Sequence, residues 1–509
     1  MKKNINKLVF SGLLAFVAIS SCDKKLEVLD ENNPTQESYF KTAAELQNGV
    51  NAVYSSIRGG SLAGREWFFL HDMRGGETAA GGIQLEQPRA ELMNQPTPAT
   101  TNSVMTDNWR GNYQIINKAN LVISKAPGVT DNASLRDRVL GEAKFLRGWA
   151  YFELVSQWGD VPMYTEPVTS SNGYKGKEPA ANIYTLIISD LTDAIAKLPN
   201  SYTGNDLGRA TKWAASALLG RVQMQKGDYN AAKTALLAVY NSNQFSLVPN
   251  FLWNFDGDLK NSGVTATGHE FNSESIFEIA FLDKGDDNFN WGYNGEGATN
   301  PVSTMRPQEY GIVWGNVVPS DRLLNEFEVG DPRYKMTFYE AGDVIQTQAG
   351  TQAGTVMTTA DMNVAASNKG GVVLKRVFRK YSDLDWVKSS FHPGGFNQRA
   401  IRYADVLLML AECEAEVGTP AQAAIYINLV RARPGVNMTP KVLTTKNQAL
   451  AAVIHERAVE LGGEEVASID IIRWRKKGYF PSITTDPKPG QVDMLPIPNA
   501  ETSTNPLIH

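Results

Sequence analysis

His455 and Glu456 open the pattern with which a helix holds a catalytic zinc, and the pattern then fails. Such a zinc needs imidazoles at i and i+4, facing one side of the helix with the glutamate as base, but the second position is Val459. Gly59-Gly60-Ser61-Leu62-Ala63 approaches a serine-hydrolase nucleophile elbow. Its closing glycine is missing, and a helical pattern precedes it where the elbow needs a strand. Asp256-Gly257-Asp258 could begin a calcium loop, yet Lys260 stands at the next ligand position. The histidines, His71, His269, His392, His455 and His509, form no cluster in sequence. Carboxylates are plentiful enough for a glycosidase pair, and helical-repeat folds do host such enzymes. Glu464-Glu465 and Asp286-Asp287, however, read as solvated pairs without a defining context. The residues therefore assign no catalytic group, no metal and no cofactor, which leaves the chemistry of attachment and of binding.

Attachment is written at the N-terminus. Lys2, Lys3 and Lys7 form a basic segment, an apolar run follows from Leu8 to Ile19, and Ser20-Ser21-Cys22 come next. The run is shorter than the roughly 20 apolar residues of a membrane span and has the flanks of a secretory signal. Small residues directly before a cysteine resemble a bacterial lipobox, in which the cysteine becomes the first residue and carries the acyl chains. Residues 1–21 are thus predicted to be a lipoprotein signal peptide, Cys22 the lipidation site, and 22–34 a polar tether. The second cysteine, Cys413, lies among Leu410, Ala411 and Ala415 and reads as a small buried hydrophobe.

The body of the chain is 42% hydrophobic, enough for a substantial core. With 49 basic and 54 acidic residues and no basic block, it has no electrostatic footprint for nucleic acid. Apolar spacing predicts helices over Glu37–Arg58, with Leu46, Val50, Val53 and Ile57 on one face, and over Trp109–Ala126. It is clearest over Leu135–Trp158, where Gly159-Asp160 and Pro162 end the helix, and it returns over Ile183–Leu198 and Lys446–Gly462. Leu219-Gly220, Gly227, Tyr229, Ala232 and Leu236 fall at the spacings of a tetratricopeptide unit, a pair of antiparallel helices. The pattern recurs as Leu410-Ala411, Gly418, Ala423 and Ile427, with 13 residues from leucine to alanine in both copies. Between the copies the periodicity breaks. Residues 241–396 are rich in Gly, Asn, Asp and aromatics, with strand-like runs at Ser275–Phe281 and Gly371–Phe378. A long irregular insertion on a regular scaffold is usually functional. The organisation predicted is a mostly α chain: helical repeats over 35–240 with a ligand loop at 59–105, an irregular ligand-binding insertion at 241–396, and a helical part with a proline-rich tail at 397–509.

Several segments carry a family resemblance. Beside the lipobox stand Asn33-Pro34-Thr35, Asn108-Trp109-Arg110-Gly111-Asn112-Tyr113 with Asn120, and Glu142-Ala143-Lys144-Phe145-Leu146-Arg147. Trp158-Gly159-Asp160-Val161-Pro162, Gly208-Arg209-Ala210-Thr211 and Gly330-Asp331-Pro332-Arg333 follow. The tail adds Glu456-Arg457, Arg473-Trp474 and Leu495-Pro496-Ile497-Pro498 with Glu501 and Asn505-Pro506. In this order along the mature chain, they resemble the SusD/RagB outer-membrane nutrient-binding lipoproteins of Bacteroidetes. Two departures are local. Leu461–Val466 lacks an aromatic-rich run, and Lys24 and Lys25 replace a fuller acidic run after Cys22. The resemblance implies four tetratricopeptide-like helix pairs carrying a loop-rich subdomain with short strands. It also implies lipid anchoring in the outer membrane facing the medium, and a SusC-like TonB-dependent transporter on which the protein sits as a lid.

A nutrient-binding role points to loop aromatics. Sugar rings present apolar C–H faces that pack on aromatic rings, while their hydroxyls need polar partners at the edges. Trp291 and Tyr293, within Asn290–Asn294, meet that description best; Trp314 with Tyr310 comes next, and the first long loop adds Trp67, Asp72 and Arg74. Trp109, Trp149, Trp158, Trp213 and Trp474, with Phe145 and Phe152, lie in helical contexts and are predicted to be core. The ligand predicted is an oligosaccharide or polysaccharide; an oligopeptide is the alternative within the same family, and a helical-repeat glycoside hydrolase the reading outside it.

Overall fold

Thr42 starts the first helix. Its hydroxyl oxygen accepts the Glu45 backbone N–H at 3.2 Å while the Glu45 carboxylate accepts the Thr42 N–H at 2.8 Å, a reciprocal cap. Helix α1 (Ala43–Ile57) therefore begins later than the Glu37 expected from its apolar spacing, and it buries the predicted face of Leu46, Val50, Val53 and Ile57. The computed structural model describes residues 39–82, 85–170, 173–255, 269–282, 303–311, 315–344, 356–362, 374–381 and 395–508. Cys22 and the predicted signal peptide lie outside these residues.

Residues 59–105, expected as an open ligand loop, instead contain α2 (Glu66–Arg74), strand β1 (Thr78–Ala80) and α3 (Gln87–Asn94). Asn102 and Asn132 cap the N-termini of the next two helices, α4 (Ser103–Lys125) and α5 (Ala133–Trp158), through side-chain oxygens that accept backbone N–H groups. Strands β2 (Val161–Pro162) and β3 (Lys177–Glu178) pair before α6 (Ala180–Lys197), α7 (Lys212–Lys226) and α8 (Tyr229–Tyr240). The insertion contributes β4 (Ser275–Ile279), β5 (Val317–Pro319), β6 (Phe338–Glu340) and β7 (Arg376–Phe378), with one-turn helices between them. After β8 (Gln398–Arg402) the chain returns to helix as α9 (Tyr403–Val417), α10 (Pro420–Arg431), α11 (Lys446–Leu461) and α12 (Ala467–Lys476).

The long helices stack in pairs: α1 on α4, α5 on α6, α7 on α8 and α9 on α10. Among the described residues the fold is thus mostly α with four helix pairs, as the resemblance implies, and two of them, α7/α8 and α9/α10, are those of the repeat spacing. Small residues sit where helices approach closely. A Cβ built on Gly220 of α7 would lie 2.5 Å from the Leu236 side chain of α8, and one on Gly111 of α4 would lie 2.7 Å from Leu62. Gly227, with φ +94°, lets α7 end and α8 begin within two residues. The core runs along the stack; Phe145, Leu146, Trp149, Phe152, Leu407, Leu410 and Cys413 are all fully or almost fully buried. Each large apolar side chain removed from water contributes roughly 1.5–3 kcal/mol. Among the described residues no helix is long and apolar enough to cross a membrane.

The sheet pairings close the insertion at its base. β4 and β8, at its two ends, run antiparallel with Ser275 opposite Arg402 and Ile279 opposite Gln398. β1 pairs with β5, tying the first loop region to the insertion, and β6 pairs with β7. The predicted strand runs are real but shorter: Ile279 ends the first, and only Arg376–Phe378 of the second is strand among the described residues.

Candidate ligand-binding site

The insertion rests on buried charge. Arg402, at the end of β8, donates to Glu274 and Glu460 at 2.7 Å each and to both oxygens of Glu464 at 2.7 and 2.9 Å. Arg433 donates to Glu274 at 2.5 Å and to Glu460 at 2.6 Å, and Lys380 donates to Glu464 at 2.7 Å. Arg333 extends the cluster through Asp331, Glu456 and Glu460 at 2.6–3.0 Å. All of these side chains are buried. Burial alone would push the Glu274 carboxyl up, but Arg433 and Arg402 outweigh it and hold it below its usual range. Glu460 is held down in the same way by Arg433, Arg402 and Arg333. Glu464, expected to be solvated, is a buried member of this network, and Glu465, expected to be solvated as well, is buried in a pair with Arg306 and accepts Gln398 at 2.6 Å. Arginines distant in sequence supply the counter-charges.

Four of the predicted binding residues prove to be internal. Trp67, Asp72, Arg74 and Tyr310 are 6%, 2%, 2% and 1% exposed. Trp67 Nε1 donates to Glu153 at 3.0 Å, and Arg74 donates to Gln157 at 2.5 Å and to the Val492 carbonyl at 2.7 Å. Burial lowers the Arg74 pKa to about 10. The Tyr310 hydroxyl donates to Asp72 at 2.6 Å, and the Glu465 backbone N–H donates to the other Asp72 oxygen at 3.2 Å. These groups are enclosed because α2 packs against α4 and α12, and Phe68, Phe69 and Tyr310 pack together beside it. The same helix builds a sealed hydrolase-like set: His71 lies 2.8 Å from Glu153 and 2.9 Å from the Ser468 hydroxyl. All three are at most 4% exposed, so no substrate reaches the serine. Trp291, Tyr293 and Trp314 lie outside the described residues. The stem after Trp314 is fixed: the Gly81 N–H donates to the Asn316 carbonyl at 2.8 Å, and the Asn316 side chain donates to Glu309 at 2.7 Å.

A cavity of about 730 Å³ lies elsewhere. Thr106, Trp109, Arg110, Tyr113, Gln114 and Asn117 form one stripe of α4 along it, because steps of three and four return to the same helical face. Tyr164, Val168, Ser170, Gly173 and Tyr174, with Ala500-Glu501 of the tail, form its other walls. Trp109, expected to be core, is only 4% exposed yet borders this cleft; Trp149, Trp158 and Trp474 are core, and Trp213 is half-buried with Lys212 Nζ 4.5 Å over its ring. Sequence reading missed Tyr113, Tyr164 and Tyr174. The available signal was the mixture of aromatic and amide residues on a single face of α4. No group of three or more His, Cys, Asp or Glu side chains among the described residues is placed to hold a metal.

Residues 27–224 match the family model described as "starch-binding associating with outer membrane", and residues 273–509 match that of the SusD family. The chain belongs to the SusD/RagB family. A SusD-like protein of Formosa agariphila is 26% identical, with 96% of this chain and 95% of that protein covered. A SusD superfamily protein from Bacteroides vulgatus superposes with a TM-score of 0.71 at 24% identity, covering 92% of this chain and 99% of its own. A laminarin-binding SusD-like protein gives 0.69 at 25% identity, with 92% and 99% covered. In this SusD/RagB chain the motifs that carry the resemblance are largely structural. Arg333 of the Gly-Asp-Pro-Arg motif binds Glu456, Arg457 binds Asp405 and Asp470, and Arg473 binds Glu412. Arg147 clamps Asp190 with two contacts of 2.7 and 2.8 Å.

Proposed function

We propose that the protein is a cell-surface glycan-binding lipoprotein that captures oligosaccharide and passes it to a SusC-like TonB-dependent transporter in the outer membrane. The observation that carries this reading is the likeness, along nearly the whole of both chains, to a SusD-like protein that binds laminarin. The architecture supports it: a stiff stack of helix pairs carries an insertion whose base is locked by buried charge, while Trp291, Tyr293 and Trp314 lie in its Gly- and Asn-rich segments. Lipid on Cys22 holds the protein beside its transporter at high effective concentration, so a modest lid interface stays engaged. The lid hinges on its tether, and the transporter supplies the energy of import.

Two measurements check the reading. Cys22→Ala is expected to leave the protein folded and move it from the membrane to the soluble fraction; a variant that remains membrane-bound after a salt wash refutes the anchor. Trp291→Ala and Trp314→Ala are each expected to weaken retardation in polysaccharide gels by about tenfold with little change in melting temperature. Truncating a buried aromatic would instead cost roughly 3–5 kcal/mol of stability. Unchanged binding with a large fall in melting temperature therefore places these tryptophans in a core.

A further inference from the structure

We propose that the cleft between α4, residues 164–170 with Gly173 and Tyr174, and the tail is a second glycan subsite that holds a stretch of neutral pyranose chain. This inference rests on the glycan reading above and adds a place and a ligand class to it. The cleft is built of rings whose polar ends are already engaged. Trp109 Nε1 donates to Glu501 at 3.3 Å, the Tyr113 hydroxyl donates to the Pro162 carbonyl at 2.8 Å, and the Tyr164 hydroxyl accepts the Lys175 N–H at 3.2 Å. The ring centroids of Trp109 and Tyr113 are 5.1 Å apart, and those of Tyr113 and Tyr164 are 5.9 Å apart at 89°. Locked rings offer packing surface without losing rotamer freedom on binding, which preserves affinity.

The walls are fixed as well. The Asn117 side-chain oxygen accepts the Val168 N–H at 2.8 Å, pinning the overhanging segment to α4, and Glu501 accepts the Asn505 side chain at 2.8 Å. Tyr174 and Val168 keep 38% and 42% of their surface exposed at the mouth. Such exposed apolar groups at the entrance of a cavity of this size, within the roughly 300–1,000 Å³ typical of small-ligand sites, mark a place that is filled from solution.

Charge and backbone select the class. The two charged groups of the lining are already neutralised or bonded: Arg110 pairs with Asp107 at 2.5 Å, and Glu501 is held by Trp109 and Asn505. Of the cations there, Arg110 is paired with Asp107 and Lys175 Nζ stands 5.6 Å over the Tyr164 ring, so the lining offers an acidic glycan little free positive charge. An extended peptide needs a row of backbone partners, but the α4 wall spends its N–H and C=O groups within the helix. Aromatic faces edged by Arg110, Gln114, Thr106 and Ser170 suit the C–H faces and hydroxyl rims of neutral sugars.

Affinity gels cast with neutral polysaccharides (soluble starch, laminarin, xylan, galactomannan) and acidic ones (alginate, polygalacturonate) test the proposal on the full mature chain. Tyr174→Ala and Tyr164→Leu are each expected to weaken binding at least fivefold on the neutral gel that retards the wild type, with an unchanged melting temperature for Tyr174→Ala and a small fall for Tyr164→Leu, which loses its hydrogen bond to Lys175. Tyr164→Phe, which keeps the ring, should bind like the wild type. If both variants match the wild type within twofold while Trp291→Ala loses binding, the subsite is wrong and the glycan reading stands. Retardation by acidic gels alone overturns the neutral class. If the wild type is retarded by no gel, the glycan reading fails, and the subsite fails with it.

Discussion

Arg402→Met is expected to lower the stability of the whole protein by about 3–5 kcal/mol, the usual cost of removing one partner from a buried ion cluster. Arg402 touches three carboxylates, Glu274, Glu460 and Glu464, and its Nη2 also donates to the Glu460 carbonyl at 2.7 Å. Methionine fills similar space but leaves these buried carboxylates with less counter-charge. Glu274 and Glu460 retain Arg433, and Glu464 retains Lys380, so the loss falls short of complete unfolding. Because β8 is the return strand of the insertion, the variant should also loosen the β4–β8 ladder, seen as faster amide exchange at Ser275–Ile279. Adding Glu464→Gln should recover part of the lost stability by removing one negative charge from a cluster that has lost a positive one. A melting temperature within 1 °C of the wild type for Arg402→Met, about 1 kcal/mol or less for a chain of this size, overturns the account.

The helix pairs were legible because local signals agreed with the tertiary outcome. The 13-residue leucine-to-alanine offset marks α7/α8 and α9/α10, and Gly220 lies where bulk would collide with Leu236. The buried charges were not legible. Glu464-Glu465 look like any solvated acidic pair until Arg402, Lys380 and Arg306 arrive from distant parts of the chain. For the same reason Asp72 and Arg74, polar residues in a glycine-rich region, read as part of a loop, although Asp72 is buried against Tyr310 and Arg74 against Gln157 and the tail. Aromatic residues raise a different problem, since composition cannot separate a ring that packs inward from one that waits for a ligand. Tyr310 and Trp67 turned inward, whereas Tyr174 stayed at the mouth of a cleft. Trp109 does both, one edge in the core and one on the cavity, so neither category alone describes it.

Stability should also depend on pH in two opposite limbs, and Glu77 governs the upper one. Its side chain is 5% exposed, and burial raises its pKa to about 7, against smaller lowering effects from Arg322 and the Gly463 N–H, which donates at 3.1 Å. Its neighbour Asp72 also pushes it upward and Lys380 downward. In the unfolded chain this carboxyl titrates near 4.3. The folded state therefore binds the extra proton between these values, and stability falls as pH rises from about 4.5 to about 7, by about 3 kcal/mol in all. The lower limb has the reverse sign. Burial opposes ionisation of Asp405, but Arg221 and Arg457 hold its pKa at about 2, and Glu412, Glu274 and Glu460 are lowered in the same sense. Their stabilisation is present above the unfolded carboxylate range and is lost as pH falls from about 4 toward 2. Melting temperature should thus peak near pH 5 and decline on both sides. Glu77→Gln keeps an oxygen for the Gly463 N–H but cannot ionise, so it should melt higher than the wild type at pH 8 and equal to it at pH 5. Parallel melting curves for the two proteins from pH 5 to pH 8 would show that Glu77 stays charged in the fold and that the upper limb has another origin.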